Sequence, residues 1–490
     1  MKKFILLFVS INLIASIEKF HLTDNWYPSD KLKLQEKLNE LEKKAKEKYN
    51  AYLNKTDVRA AIIPHAGIDY SGVVSSAIFA QLDKNLERVI ILATDHSGLV
   101  ENVAIPDFDE YEIPTGKLII DTSITDKLSK NKNFKINNSA FKTEHSLEIE
   151  LPFIKKYLTH AKIVPLIVGE INCEKAKEIA QELKKFIDKK TLVLVSSDFI
   201  HYGKRFNFTP FKNNIVLNIK QLNSEAIQLI ENENCKKFQD FTEKTKATIC
   251  GRNSIKILLE LLEIKAFGAV EPRLIAYDMS SYDEKADSVS YVGMLFTEEK
   301  LENLPIEKQL TEQEKNNLYQ FSENTLNNLF KDIKDKELYN PILSFGLTRQ
   351  HGAFVTLRKD HQLRGCIGQV IATKPLWEIV KEVTKDAAFN DPRFEPLKKD
   401  ELNKIDLEVS VLADPKKINS YKEIVVGKHG IILSSNNKSA LFLPEVATEF
   451  KWDLPTTLTE LSKKAGLNEN AWKEKGAEFK VFSALNIIKT

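Results

Sequence analysis

Four short apolar runs constrain this chain most: residues 59–63, 88–92, 163–168 and 191–195 are nearly continuous and rich in β-branched side chains. A strand with one wet face alternates apolar and polar residues. Unbroken runs of this kind belong to strands covered on both faces. Helical patterns lie between them. Residues 174–189 are the clearest, with Ala176, Ile179, Leu183, Phe186 and Ile187 on one face and Lys and Glu opposite. Alternation of strand and helix over residues 58–296 predicts an α/β domain, a central sheet flanked by helices.

The rest of the chain has another texture. Its 490 residues suit two to four domains at about 150 residues each. Residues 298–314 are charged and contain Pro305, which predicts a boundary near residue 305. Thr311 with Glu314 has the spacing of a capping box and predicts a helix running to about residue 333. Residues 353–358 and 363–370 read as a hairpin around 359–362, and the mixture that follows suggests an α+β domain. The expected division is 21–300, a linker at 301–310, and 311–490.

Composition excludes several classes. Lys and Arg number 71 against 69 Asp and Glu, so a net charge of +2 gives no reason to expect a nucleic-acid partner. Four cysteines in so long a chain exclude a disulfide scaffold, and Cys173, Cys235, Cys250 and Cys366 show no close pair spacing. Lys2 and Lys3 precede an apolar run over residues 4–15. That pattern predicts a signal peptide over about residues 1–20 and export, for example to a periplasm; a first buried element of a cytoplasmic protein is the alternative. The run is shorter than the roughly 20 residues a membrane span needs, and no other segment reads as transmembrane.

Three of the apolar runs lead directly into polar motifs. Residues 59–63 lead to Pro64-His65-Ala66-Gly67, 88–92 to Thr94-Asp95-His96-Ser97-Gly98, and 191–195 to Ser196-Ser197-Asp198-Phe199-Ile200-His201. Ligands of open α/β sheets bind beyond the carboxyl ends of the strands, so His65, His96, Asp198 and His201 are expected along one edge. His145 is a further candidate. Each His alone is more often a structural residue; their recurrence at equivalent strand ends argues for one shared site. Imidazoles with a carboxylate suit Zn, Fe, Cu or Ni. Cys250, just ahead of the helical pattern 255–262, could supply a thiolate of lowered pKa as ligand or nucleophile, or be a small buried hydrophobe. A metal-free Cys–His–Asp constellation remains open.

Six motifs in order resemble the Memo family: PHAGIDYSG (64–72), ATDHSG (93–98), EHSLEIELPFI (144–154), SSDFIHYG (196–203), CGR (250–252) and SYVGMLF (290–296). The resemblance implies a fold similar to the class III extradiol dioxygenases. It implies His65, His96 and Cys250 as metal ligands, for iron (Fe²⁺) or copper, with His145, Asp198, His201 and the edge residue Tyr70 as catalytic pocket positions. Ring-cleaving enzymes carry a Glu where Cys250 stands, which speaks against ring cleavage. Ile68 and Thr94-Asp95 are smaller departures from the family pattern.

Residues 310–490 resemble the AMMECR domain family through GAFVTLRKDHQLRGCIGQV (352–370), AAFNDPRFEPL (387–397), LEVSVL (407–412), KHGIIL (428–433), LFLPEVATEFKW (441–452) and LSKKAGL (461–467). The pairing resembles a fusion of proteins B and A of the AmmeMemoRadiSam system, which implies a separate radical-SAM partner and an unidentified small-molecule substrate. Within this domain, Arg364, Cys366 and Arg393 form a candidate ligand site, the arginines suited to a carboxylate or phosphate; the alternative is a tightly packed hairpin with an internal Arg–carboxylate pair. Gly365 and Gly368 suggest a bulge or a close backbone approach, by a ligand or within a tightly packed hairpin. His351, His361 and His429 lie near turns and are expected in solvent. Three functions remain open on the sequence alone: a metal-dependent, dioxygenase-like oxidoreductase, a non-catalytic binding or scaffold protein, and a metal-free hydrolase using Cys250.

Overall fold

The computed structural model describes residues 15–49, 57–298, 300–331 and 344–489. The first fourteen residues of the expected signal peptide therefore lie outside the described residues. Ile17–Lys19 forms a short strand paired in parallel with Glu110–Ile113.

The first domain is built on β1 (Val58–Ile63), β2 (Arg88–Thr94), β3 (Lys162–Val168), β4 (Thr191–Ser196), β5 (Glu271–Met279) and β6 (Ser288–Thr297). The order across the sheet is His201–Tyr202, β6, β1, β4, β2, β3, Val103–Ile105, Phe134–Ile136, with β5 paired to β6. The four apolar runs are its parallel centre, β1 on β4, β4 on β2 and β2 on β3. Side chains alternate across the sheet, so each run feeds two cores. Ala60, Ile62, Ile90 and Leu92 enter one; Ala61, Ile63, Val89 and Ile91 enter the other.

Helices close both faces. α1 (Lys31–Lys48) and α2 (Ile68–Phe79) bury Leu34, Leu38, Val74 and Ile78 against the second core. α3 (Cys173–Leu183), α4 (Cys235–Thr245) and α5 (Arg252–Glu263) cover the first. The pattern over 174–189 overstates α3, which gives way to a 3₁₀ turn at Lys184–Phe186. Ile187 is already extended, because the chain must reverse into β4 at Thr191.

The second domain opens with α6 (Glu312–Asn328), capped by the reciprocal Thr311 and Glu314 bonds expected from their spacing. The helix ends at Asn328; residue 333 lies outside the described residues. β7 (Ala353–Lys359) and β8 (Gln362–Gln369) form the hairpin, and β9 (Ile405–Leu412) pairs with β7. The turn residues Asp360 and His361 both have positive φ, 50° and 65°, as a two-residue type I′ turn requires. α7 (Leu376–Phe389) packs on this sheet. Another four-stranded sheet completes the domain: Lys416–Ile418, Glu478–Phe482, Gly430–Ser435 and Lys438–Phe442. His361 is open to solvent, but His351 is buried against the Leu412 carbonyl, contrary to expectation. Among the described residues no helix is long and apolar enough to cross a membrane.

Candidate functional site

Parallel strands deliver their carboxyl ends to one edge, and the site is assembled there. His65 lies two residues beyond β1, His96 two beyond β2 and Asp198 two beyond β4. His145 opens a short helix, His145–Glu148. Cys250 arrives from the start of α5, and Gly251 lets it do so: a Cβ there would sit 2.3 Å from the Ser197 Cβ. The docking is fixed by the Gly251 N–H, which donates to Ser197 Oγ at 3.0 Å.

The imidazoles of His65, His96 and His145 pack against one another, with ring centroids 5.3, 5.4 and 4.4 Å apart. Their nitrogens lie close enough together to hold one metal ion. Cys250 Sγ is 3.0 Å from His65 Nε2. Asp198 accepts the His65 N–H at 2.8 Å, donates its own N–H to Cys250 Sγ at 3.1 Å and lies 3.9 Å from His201 Nε2. Tyr70, in the first turn of α2, is mostly exposed. Thus six of the seven predicted residues converge, and Tyr70 points outward. A cavity of about 510 Å³ adjoins the cluster, lined by His96, Leu99, Glu170, Cys250, Arg252 and Asn253. A larger one of about 710 Å³ lies at the seam between α1, α6 and the C-terminal strand, and holds none of the predicted residues.

Hydrogen bonds settle how the imidazoles face. Ser196 Oγ donates its one proton to Ser146 O or Glu150, at 2.6 and 3.0 Å, so it accepts from His65 Nδ1 at 2.8 Å. Glu144 accepts from His96 Nδ1 at 2.8 Å. The Phe199 and Thr248 carbonyls accept from His201 Nδ1 at 2.8 and 3.0 Å. Each of these three rings is left with an Nε2 lone pair, the arrangement carboxylates and carbonyls impose on metal-binding histidines.

The electrostatics favour the neutral forms of His65 and His145. Burial, and then the neighbouring histidines, hold His65 well below its usual value. Burial and His96 push His145 down to about 4. Burial works against Glu144, but the His96 hydrogen bond prevails and holds it at about 2. Cys250 differs from the sequence expectation. Burial, reinforced by Asp198, pushes its thiol well up, outweighing any help from the start of α5. The donor set fits a metal cation: unprotonated imidazoles, a thiol that a cation would deprotonate, and acceptors behind the rings.

Sequence reasoning misses the supporting residues. Glu144, Ser196 and Glu150 lie inside or beside the family motifs, but nothing in their spacing indicates which ring each orients. Trp26 is missed entirely; its ring lies 4.5 Å from that of His145. It sits on an N-terminal strap held by Glu148, which accepts from the backbone of His21 and Leu22 and from the Tyr27 hydroxyl.

The candidate site of the AMMECR-like domain has its polar groups engaged internally. Arg364 is held by both oxygens of Glu401 and by the Glu395 and Pro396 carbonyls. Arg393 is held by both oxygens of Asp391 and by the Cys366 carbonyl. Both guanidiniums bind the domain's own groups. Gly365 and Gly368 answer packing: a Cβ would lie 2.1 Å from the Ala387 carbonyl oxygen and from the Phe354 ring, respectively. Burial raises the Cys366 thiol. Cys173 and Cys235 form a disulfide across 62 residues, which no spacing in the sequence indicates.

Comparison with known proteins finds two families along the chain. The profile of the Memo-like protein family matches residues 21–295, and that of AMMECR1 matches residues 304–487. The protein memo-1 homolog of Caenorhabditis elegans is 34% identical over 253 residues, 49% of this chain and 72% of the relative. The human protein MEMO1 is 31% identical over 218 residues, 42% of this chain and 73% of its own length. Among solved structures, an uncharacterised protein of Pyrococcus horikoshii is 30% identical, with 34% of this chain and 88% of that one covered and a TM-score of 0.32.

Proposed function

Since the chain belongs to the Memo-like family and carries an AMMECR1 domain behind it, we propose that the histidine pocket is a redox metal centre, for iron or copper, with dioxygenase-like oxidoreductase activity. His65, His96 and Cys250 hold the ion, and His145 stands close enough to join them. The observation that carries this reading is the grouping of His65, His96 and His145 with nitrogens close enough for one ion, the first two with Nδ1 engaged behind the ring and Nε2 holding a lone pair. Bound there, iron or copper supplies electron-transfer and oxygen chemistry.

The protein's own groups do the rest. Asp198 and His201, 3.9 Å apart, form an acid–base pair beside the thiol. His201 Nε2 is free to take a proton from a substrate. His145 stays neutral under Trp26 and holds no charge against a cation. Tyr70 lies at the mouth. A thiol held protonated by burial weighs against Cys250 as a metal-free nucleophile.

The AMMECR1 domain positions a substrate or a separate radical-SAM protein of the same system. Export through the N-terminal segment is supported by the Cys173–Cys235 disulfide, since such bonds persist in oxidising compartments.

The test is metal analysis after anaerobic purification. About one equivalent of iron or copper per chain is expected, lost in His65→Ala and in Cys250→Ala. Full occupancy in both variants would sink the assignment.

A further inference from the structure

Away from the pocket, three side chains converge on the helical layer of the first domain. Cys173 and Cys235 are the first residues of α3 and α4. Each follows an Asn that caps its helix: Asn172 accepts from the Lys175 N–H and Asn234 from the Lys237 N–H. The two helix starts are tied further by the Cys173 N–H, which donates to Gln239 of α4 at 3.0 Å. The sulfurs form a disulfide, with the Cα atoms 5.9 Å apart. Glu260 of α5 brings a carboxylate oxygen within 4.8 Å of both sulfurs.

Glu260 is the anomaly. The residue is 4% exposed, and its buried Oε2 has no hydrogen-bond partner. A disulfide has no proton to donate, so the oxidised pair cannot satisfy it. An unpaired buried polar group of this kind is destabilising. Burial, and then Glu263, raise the carboxyl above its usual range. The oxidised state leaves this group unanswered; the reduced state does not. Both sulfurs stand at helix N-termini, where a thiolate is stabilised. Two thiolates and a carboxylate are a donor set for a zinc-class cation. Cys235 is buried and Cys173 only partly so, which leaves a fourth position facing solvent on the Cys173 side.

We propose that Cys173, Cys235 and Glu260 form a second metal site, which takes a zinc-class divalent cation when the disulfide is reduced and gives it up when the disulfide closes. Closure is a two-electron exchange with a disulfide oxidant. Both metal–sulfur bonds break and the cation leaves. The Cys173–Cys235 bond forms while the oxidant's S–S bond breaks to two thiols, which take protons from solvent. The site does not depend on the reading of the histidine pocket.

Cobalt(II) alone is the probe, titrated into the full chain carrying Cys250→Ser to silence thiolate signals from the histidine pocket. After phosphine reduction, one equivalent of cobalt should give a thiolate charge-transfer band, and the oxidised protein none. Cys173→Ser with Cys235→Ser should abolish the band. Glu260→Gln keeps both sulfurs and the side-chain shape, and should weaken cobalt binding by at least about tenfold. The proposal is overturned if the reduced chain shows no band, if it unfolds on reduction as followed by circular dichroism, or if Glu260→Gln binds cobalt as tightly as its parent.

Discussion

The histidine pocket of the Memo-like domain and the Arg-Gly-Cys strand of the AMMECR1 domain are equally polar in sequence, and the fold treats them in opposite ways. At the pocket, hydrogen bonds made behind the rings of His65, His96 and His201 leave Nε2 lone pairs, with Cys250 Sγ lying against that of His65. In that domain, Arg364 on the strand and Arg393 in the turn after α7 bind carboxylates and carbonyls of the domain itself. The difference teaches that charged residues in a motif do not by themselves make a site. What marks one is buried ligand-capable atoms that the protein has oriented and not used.

The contrast is broken most sharply at the metal. His65→Ala should lower metal occupancy at least about 100-fold relative to the parent while leaving the unfolding of the AMMECR1 domain unchanged. Plasma emission analysis paired with domain-resolved calorimetry reads both; a shared loss would mean that the two regions are not independent. Next in size, Asp391→Ala should destabilise the AMMECR1 domain by about 2 kcal/mol in urea titrations, because it removes the acceptor of the Cys366 N–H and the partner of Arg393 and takes nothing from the pocket. Unchanged stability would show that Arg393 is available to a ligand after all.

The same pair predicts a pH window. The Arg393 hydrogen bonds hold Asp391 at about 2, and those of Arg364 hold Glu401 at about 2. Both lie below their unfolded values near 4, so their stabilisation is full above about pH 4 and is lost as pH falls towards 2. Acid titration of parent and Asp391→Ala should converge at the low end; parallel curves would contradict this. Smaller again, Glu144→Gln should weaken metal binding by about 10-fold through the orientation of His96, with ligand number unchanged by X-ray absorption. Arg364→Lys closes the series at about 1 kcal/mol, the loss of a two-pronged contact with Glu401.

The parallel centre of the fold is legible in the sequence because a strand buried on both faces has little freedom in composition; residues 59–63 and 191–195 could hardly be anything else. Pocket membership is legible for the same reason, since motifs at the ends of parallel strands must share an edge. What cannot be read is pairwise. The bonds from Ser196 to His65 and from Glu144 to His96 depend on register and on side-chain direction. So does the closure of Cys173 on Cys235, set by how α3 and α4 cross. The thiol of Cys250 departs from expectation because a helix terminus is visible in sequence and the burial that outweighs it is not. The arginines of the AMMECR1 domain follow the alternative of an internal Arg–carboxylate pair, but which carboxylates they meet cannot be read, because residues 391 and 401 lie on a segment with no periodic pattern to place it.

The distance along the chain between His65 and Cys250, 185 residues, has a consequence for biosynthesis. At about 5–20 residues per second, the imidazole of His65 is made some ten to forty seconds before the thiol it will face. Residues 65, 96 and 145 can meet a cation while α5 is still unmade. The nascent chain therefore passes through a stage with imidazoles and no sulfur, and the order of translation decides when the proposed donor set is complete.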